Sequence, residues 1–277
     1  MRKLSVIFCC SGGLGETALR AALRLPQVRI KRVLTDQGST GILGLAAKQA
    51  LPVTIGNPRR KAAAFDGTCD VLASVNYLFV LPEAILKKAG VLAFNIHGSL
   101  LPKYMGRAPA TWVIINDEIE TGITVHEMAP DVDAGDILYQ EKIAIGNDDT
   151  GGFLLKKMAR RYPVILRRIF AQIGQGRIKR LPQDLSRKSY FGKREPSDGL
   201  IDWRWSSRKV YNWVRAQTKP YPGAFGPIEG ETRRIWKVRD VPGFTEAVEP
   251  GRLVTRRGRR LVVCGQGAVE LVEISAL

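Results

Sequence analysis

Long apolar runs, histidine and patterned cysteine are all scarce in this chain of 277 residues, and each shortage removes a class of function. No apolar stretch approaches the roughly 18 residues needed to span a bilayer. The opening M-R-K-L-S-V-I-F-C-C also lacks the longer apolar core and small-residue cleavage site of a secretory leader. Membrane insertion is not expected, and these residues read as a buried first strand. Of the four cysteines, Cys9 and Cys10 are neighbours on that strand while Cys69 and Cys264 stand alone. Such spacing supports neither a disulfide framework nor a metal site, so a cytoplasmic protein without a metal is the expectation. Neither G-x-S-x-G nor a cysteine paired by motif to a histidine is present, which argues against a covalent acyl-enzyme.

Acidic residues are also in short supply. Against 43 Lys and Arg there are 26 Asp and Glu, giving a formal net charge of +17. That charge attracts polyanions, whether nucleic acid, nucleotide-linked substrates or an anionic membrane surface. A solvated basic surface with no single partner is the alternative.

What is present is a soluble globular composition, 45% hydrophobic and 25% charged, in a chain long enough for about two domains. Residues 4–8 read as a buried strand, S-G-G-L-G as a tight turn, and E-T-A-L-R-A-A-L-R as an amphipathic helix, followed by the strand R-I-K-R-V-L. This βαβ opening predicts a Rossmann-like, mostly parallel sheet with ligands at the carboxyl ends of its strands. Gly12, Gly13 and Gly15 miss the full G-x-G-x-x-G spacing and no acidic residue closes the next strand, so a simple strand-to-helix turn is preferred to NAD binding. D-V-L-A-S-V-N-Y-L-F-V and V-L-A-F-N-I predict central strands, and P-E-A-I-L-K-K-A a helix begun at its proline. Strands over 122–128 and 137–143 then flank the acidic turn P-D-V-D-A-G-D. Helical spacing over 152–175 is opposed at one point by Pro163, which should kink or interrupt the helix. Residues 176–199 read as a linker crossing the surface. Beyond 200, short alternating segments separated by glycines predict a small β-barrel.

The stretch from Phe94 to Gly135 gathers the chemistry, including both histidines. Asn95 and His97 lie on one face of a strand end, and Asp133 sits in the acidic turn. An amide donor, an imidazole and a carboxylate suit acyl-type transfer: Asn95 to meet an oxyanion, His97 to share that role or move a proton, Asp133 to orient the ring. The residues alone leave open that His97 is a structural, hydrogen-bonded histidine. His126, on an alternating strand, reads as structural.

F-N-I-H-G-S-L-L-P-K-Y-M-G-R-A-P-A, followed by E-T-G-I-T-V-H and D-A-G-D-I-L, resembles the signature of 10-formyltetrahydrofolate-dependent formyltransferases. The resemblance extends over V-L-A-S-V-N-Y-L-F-V-L-P-E-A-I-L, which is similar to the folate-lining segment. I-D-W-R-W-S and P-Y-P-G-A-F are similar to the start of the family's C-terminal barrel. It implies a Rossmann-like catalytic domain over 1–185, a linker over 186–199 and an OB-like barrel over 200–277. Asn95, His97 and Asp133 become the implied catalytic set, with Asp133 keeping His97 charged. Phe79, Val80, Leu81, Ala129, Pro130, Asp131 and Val132 become folate contacts, and Arg107 a ligand contact. The donor would be 10-formyltetrahydrofolate and the acceptor a primary amine.

Three acceptors compete. Glycinamide ribonucleotide formyltransferases lack the C-terminal barrel. Methionyl-tRNA formyltransferases have it, yet carry a basic insertion that residues 35–47 lack and usually read G-T-P at the first turn. Amino-sugar formyltransferases, such as the formylating half of the enzyme that modifies 4-amino-4-deoxyarabinose in polymyxin resistance, match H-G-S-L-L-P-K-Y-x-G-R-A-P, N-x-V-R-A and P-x-P-G-A-F. The expected substrate is therefore a nucleotide-linked amino sugar, with charged initiator tRNA as the alternative. A homo-oligomer stays open.

Overall fold

A computed structural model describes residues 2–60 and 67–277. Apolar, β-branched segments build the first strands: β1 (Leu4–Cys10), then α1 (Gly12–Leu23), β2 (Val28–Thr35), α2 (Thr40–Lys48), β3 (Val53–Ile55) and β4 (Cys69–Val75). A short helix α3 (Glu83–Leu86), with Pro82 at its N-cap, leads into β5 (Ala89–His97). Next come β6 (Met105–Gly106), α4 (Pro109–Ile115), β7 (Glu120–Glu127), β8 (Ile137–Ala144) and α5 (Gly151–Gly174). The chain ends with β9 (Tyr190–Phe191), α6 (Ser207–Gln217), β10 (Ala224–Ile228), β11 (Glu231–Val241), β12 (Leu253–Arg256), β13 (Arg259–Val263) and β14 (Ala268–Ala276).

Contacts divide the chain into two compact units. One comprises residues 1–106, 122–143 and 157–190, the other 107–121, 144–156 and 191–277. The first is built on a seven-stranded sheet ordered β3-β2-β1-β4-β5-β7-β8. Strands β1 to β5 pair in parallel, and β7 reverses against β5. The reversal determines the site, because the carboxyl end of β5 then lies beside a strand entering from the other direction. The expected Rossmann-like, mostly parallel sheet is present.

Pro163 does not interrupt α5, which runs unbroken for 24 residues. The reason is packing. Leu154, Met158, Tyr162, Ile165, Leu166, Ile169, Phe170 and Ile173 form one buried face, whereas Pro163 is on the exposed face, where one missing backbone bond costs least.

In the second unit the short glycine-punctuated segments form a five-stranded antiparallel sheet, β10-β11-β14-β13-β12. Its core gathers Ile201, Trp203, Val210, Val214, Ile235, Val238, Val262 and Val269, and α6 supplies Val210 and Val214 to it. Trp112 and Trp213 sandwich the Arg194 guanidinium, with ring centroids 4.9 and 4.5 Å away. No helix among the described residues is long and apolar enough to cross a membrane.

Candidate functional site

The carboxyl end of β5 is where the polar groups meet. Strand alternation puts Asn95 and His97 on one face of β5, and antiparallel pairing sets them opposite His126 and Thr124 of β7. Pairing with β4 on the other side aligns Asn95 with Ser74.

Four side chains form one network there. His97 Nε2–H donates to the Tyr104 carbonyl at 2.7 Å, and Nδ1 faces Asp133 Oδ2 at 3.5 Å. Asp133 Oδ2 accepts the Gly106 backbone N–H at 2.9 Å. His126 Nδ1–H donates to the Glu127 carbonyl at 2.9 Å, leaving Nε2 at 3.1 Å from Asn95 Nδ2 and 3.3 Å from Asp133 Oδ1. One ring nitrogen cannot serve both neighbours at once. A neutral His126 accepts from Asn95, and a protonated one donates to Asp133. In the neutral form Asn95 spends one amide hydrogen on the ring and keeps the second to offer elsewhere.

Burial governs the charges. His97, His126 and Asp133 are all 8% exposed or less. Burial, the largest influence on His97, outweighs the opposing Asp133 charge and the Tyr104 contact, so its pKa lies below the ordinary histidine value. Burial thus favours the neutral ring, against the implied picture of an imidazolium held charged by Asp133. For Asp133, burial raises the carboxyl. The His126 hydrogen bond, the charge that the histidines carry in acid and the Gly106 N–H together overcome that and bring it down to about 2. An ionised carboxylate thus faces an imidazole whose Nδ1 carries no proton, and the 3.5 Å gap between them, too long for a hydrogen bond, agrees with two acceptors facing each other.

The loop and turn that complete the network are held from below. Thr124 Oγ1 donates to the Ser99 carbonyl at 2.6 Å and accepts the Leu101 N–H at 3.2 Å and Gln140 Nε2 at 2.9 Å. Ser99 Oγ in turn donates to the Lys103 carbonyl at 2.7 Å, in the loop whose Tyr104 carbonyl meets His97. Asp133 itself has a φ of 59°, a left-handed conformation that aspartate tolerates better than most residues but that costs on the order of 1–3 kcal/mol. Close packing adds a second constraint. A Cβ at Gly135 would run into the Glu127 carbonyl oxygen, so only glycine lets the turn lie against the end of β7.

The residues expected to contact folate occupy two loops beside Asn95. One follows β4 and the other follows β7, the two strands that flank β5. Val80 and Val132 are 45% and 43% exposed, as is neighbouring Leu78 at 42%. Phe79 is half-buried and meets Tyr77 edge-on, with ring centroids 5.5 Å apart. Ala129 is half-buried, and Pro130 and Asp131 are exposed. Leu81 instead turns inward, packed with Ile7, Cys9, Leu34, Leu72 and Ile85. Large apolar side chains left in the open beside a buried polar network suit an apolar heterocycle with a polar reacting end. Arg107 is exposed, belongs to the second unit, and bonds through its backbone N–H to the Phe191 carbonyl at 2.8 Å. Among the described residues no group of three or more His, Cys, Asp or Glu is arranged to hold a metal.

Comparison with known families gives two matches: Formyl transferase over residues 39–169, and Formyl transferase, C-terminal domain, over 193–276. The chain belongs to the formyl transferase family. Solved structures with the same fold include the N-formyltransferase from Helicobacter canadensis in complex with folinic acid and dTDP-3-aminofucose. It is 18% identical, covers 99% of this formyl transferase and 100% of its own chain, and has a TM-score of 0.77. WlaRD, a sugar 3N-formyl transferase solved in the presence of dTDP and 5-N-formyl-THF, is 19% identical over 98% of this chain and 97% of its own, with a TM-score of 0.72. A variant of HypX from Aquifex aeolicus is 16% identical over 99% of this chain but only 46% of its own, with a TM-score of 0.65. At these identities the likeness is one of fold.

His126 is the residue that sequence reasoning missed. An alternating strand gives it a buried position and nothing more. Only the register Asn95↔His126, fixed by antiparallel pairing, brings it into the network. The Tyr104 carbonyl and Gly106 N–H are backbone groups and leave no trace in residue type.

Proposed function

We propose that this formyl transferase moves the formyl group of 10-formyltetrahydrofolate to the primary amine of a nucleotide-linked amino sugar. The observation that carries the reading is the buried Asn95–His97–His126–Asp133 network at the edge of the sheet, flanked by exposed Leu78, Val80 and Val132. The acceptor class is supported by the end-to-end match to an enzyme described with dTDP-3-aminofucose and folinic acid. The folate supplies the formyl carbon, which passes to the acceptor nitrogen with release of tetrahydrofolate.

The chain's residues divide the remaining work. The second Nδ2–H of Asn95 meets the negative charge that develops on the formyl oxygen. His97, neutral and with Nε2–H committed to Tyr104, has only Nδ1 to accept the proton the amine gives up. Once protonated, Nδ1–H can donate to Asp133, and the 3.5 Å approach closes to a charge-assisted bond. The same proton is then available to the departing nitrogen, so the ring ends as it began. Val80, Val132 and Phe79 cover the donor's flat ring and keep water from the reacting carbon. Arg107 belongs to the acceptor side as a phosphate or sugar contact.

An acceptor screen tests this reading. With 10-formyltetrahydrofolate as donor, dTDP- and UDP-linked 3-amino and 4-amino sugars are compared with charged initiator tRNA, and products are read by mass. A formamide on a sugar nucleotide is expected, and formylation of tRNA alone would overturn it.

A further inference from the structure

Residues 176–199, which composition presents as a linker, lie along the catalytic turn in their first half. The Leu181 backbone exchanges both hydrogen bonds with Ile137, at 2.8 and 2.9 Å. Arg180 pairs with Glu127 at 2.6 Å. Ser189 then holds the far side, its Oγ accepting the Tyr104 N–H at 2.9 Å and its carbonyl accepting the Met105 N–H at 2.8 Å. The segment therefore grips both the turn that carries Asp133 and the loop whose carbonyl binds His97.

Gln183 is the inward-facing residue between exposed Leu181, Pro182, Asp184 and Leu185. Its Nε2 donates to the Asp133 carbonyl and to the Gly135 carbonyl, each at 2.7 Å. Both hydrogens of one amide are thus spent on two carbonyls two residues apart, in a turn where Asp133 itself is left-handed. The other end of the side chain, Oε1, is buried without a hydrogen-bond partner. A glutamine whose side chain, among the described residues, bonds to these two carbonyls and leaves its own oxygen unsatisfied is not placed there for its own solvation. No aliphatic side chain could supply the two donors.

We infer that Gln183 is a positioning residue, which fixes the left-handed turn at Asp133 and so presents that carboxylate to the His97 ring. Gln183 touches neither substrate nor reacting atoms, and acts through Asp133. The inference rests on the assignment of Asp133 to the reaction, and it extends the site to a segment that composition marks as a connector. The groups facing His97 are the Asp133 carboxylate from the turn and the His126 ring from β7.

Because the chain has two histidines, their ring nitrogens can be followed directly by long-range 1H–15N NMR across a pH titration, with no acceptor or donor added. The wild type is compared with Gln183→Met, which keeps the volume and removes both donors, and with Asp133→Asn. Gln183→Asn, one methylene too short to reach both carbonyls, serves if Gln183→Met fails to fold. Asp133 opposes the downward shift of His97, so Asp133→Asn should move the His97 titration to lower pH. Gln183→Met should move it in the same direction by a smaller amount, while the melting transition stays cooperative. In turnover, kcat should fall about 100-fold with KM little changed, as for a misplaced catalytic group. A His97 curve that superposes on wild type in folded Gln183→Met, while Asp133→Asn displaces it, overturns the inference. No displacement in Asp133→Asn overturns it as well. Displacement in both, combined with wild-type turnover by Asp133→Asn, would uphold the positioning role and remove Asp133 from the reaction instead.

Discussion

Asp133 and His97 both make the protein sensitive to acid. The Asp133 carboxyl, ordinarily at 3.8, stands at about 2 in the folded chain, so its pairing contributes roughly 2 kcal/mol that is present above the unfolded value and lost as pH falls toward 2. The lowered His97 acts with the same sign. Its contribution is present above the ordinary histidine value and is lost as pH falls through the folded one. Denaturant melts across pH should show Asp133→Asn with a shallower loss of stability below about pH 4 than wild type. Turnover should rise with pH along a limb centred below about 6.5 and then level, because the neutral ring is the working form. A rate that falls as His97 deprotonates would instead require the imidazolium. His126→Phe, which removes the ring nitrogen that orients Asn95, should lower kcat by about 100-fold through misplacement, measured alongside a native circular dichroism spectrum. Asn95, His97 and Asp133 were legible in the sequence because strand alternation and a turn composition suffice to place them. His126 was not, since its partner is chosen by strand register, which residue types near it do not specify.

At the scale of elements, the site depends on a turn pressed against a strand end. Gly135→Ala would force the 131–136 turn off the Glu127 carbonyl, costing about 1–3 kcal/mol of stability and displacing Asp133. Thermal melts and turnover should therefore fall together in that variant. Pro163→Ala should do the opposite. It restores a helical hydrogen bond on the exposed face of an unbroken α5 and should stabilise by about 1–3 kcal/mol, read from denaturant midpoints with activity unchanged. Pro163 misled the sequence reading because its local propensity was set above the apolar face opposite it, which keeps the helix whole. The 176–199 segment misled in the other direction. Its polar, basic, proline-containing composition is that of a connector, yet Arg180, Leu181, Gln183 and Ser189 each bind the catalytic unit. Composition reports solvent exposure, and two half-buried side chains, Gln183 and Ser189, among mostly exposed ones do not alter it.

Over the whole molecule, the order of elements was readable from hydrophobic periodicity, and the reversal of β7 was not. A strand's apolar pattern is indifferent to whether its neighbour runs parallel or antiparallel, although here that direction decides which residue faces Asn95. The charge of +17 is likewise indifferent to partner. In the basic hairpin that joins β12 to β13, Arg256 is paired with Glu246 and Arg259 lies 3.7 Å from Glu270, so part of its charge is already matched within the protein. Replacing Arg257 and Arg260 by Ser should leave formylation of a sugar nucleotide within about twofold, the range of ordinary surface substitutions. If these arginines grip RNA, the same change would flatten the salt dependence of tRNA binding.

Formyl transfer at the buried network depends on the Asn95 amide. The decisive measurement is the rate of formamide formation by Asn95→Ala, with 10-formyltetrahydrofolate and the acceptor that wild type formylates, in protein whose melting transition matches wild type. Loss of an oxyanion donor predicts a rate lower by about 100- to 1000-fold. A rate equal to wild type would place the chemistry elsewhere in the chain.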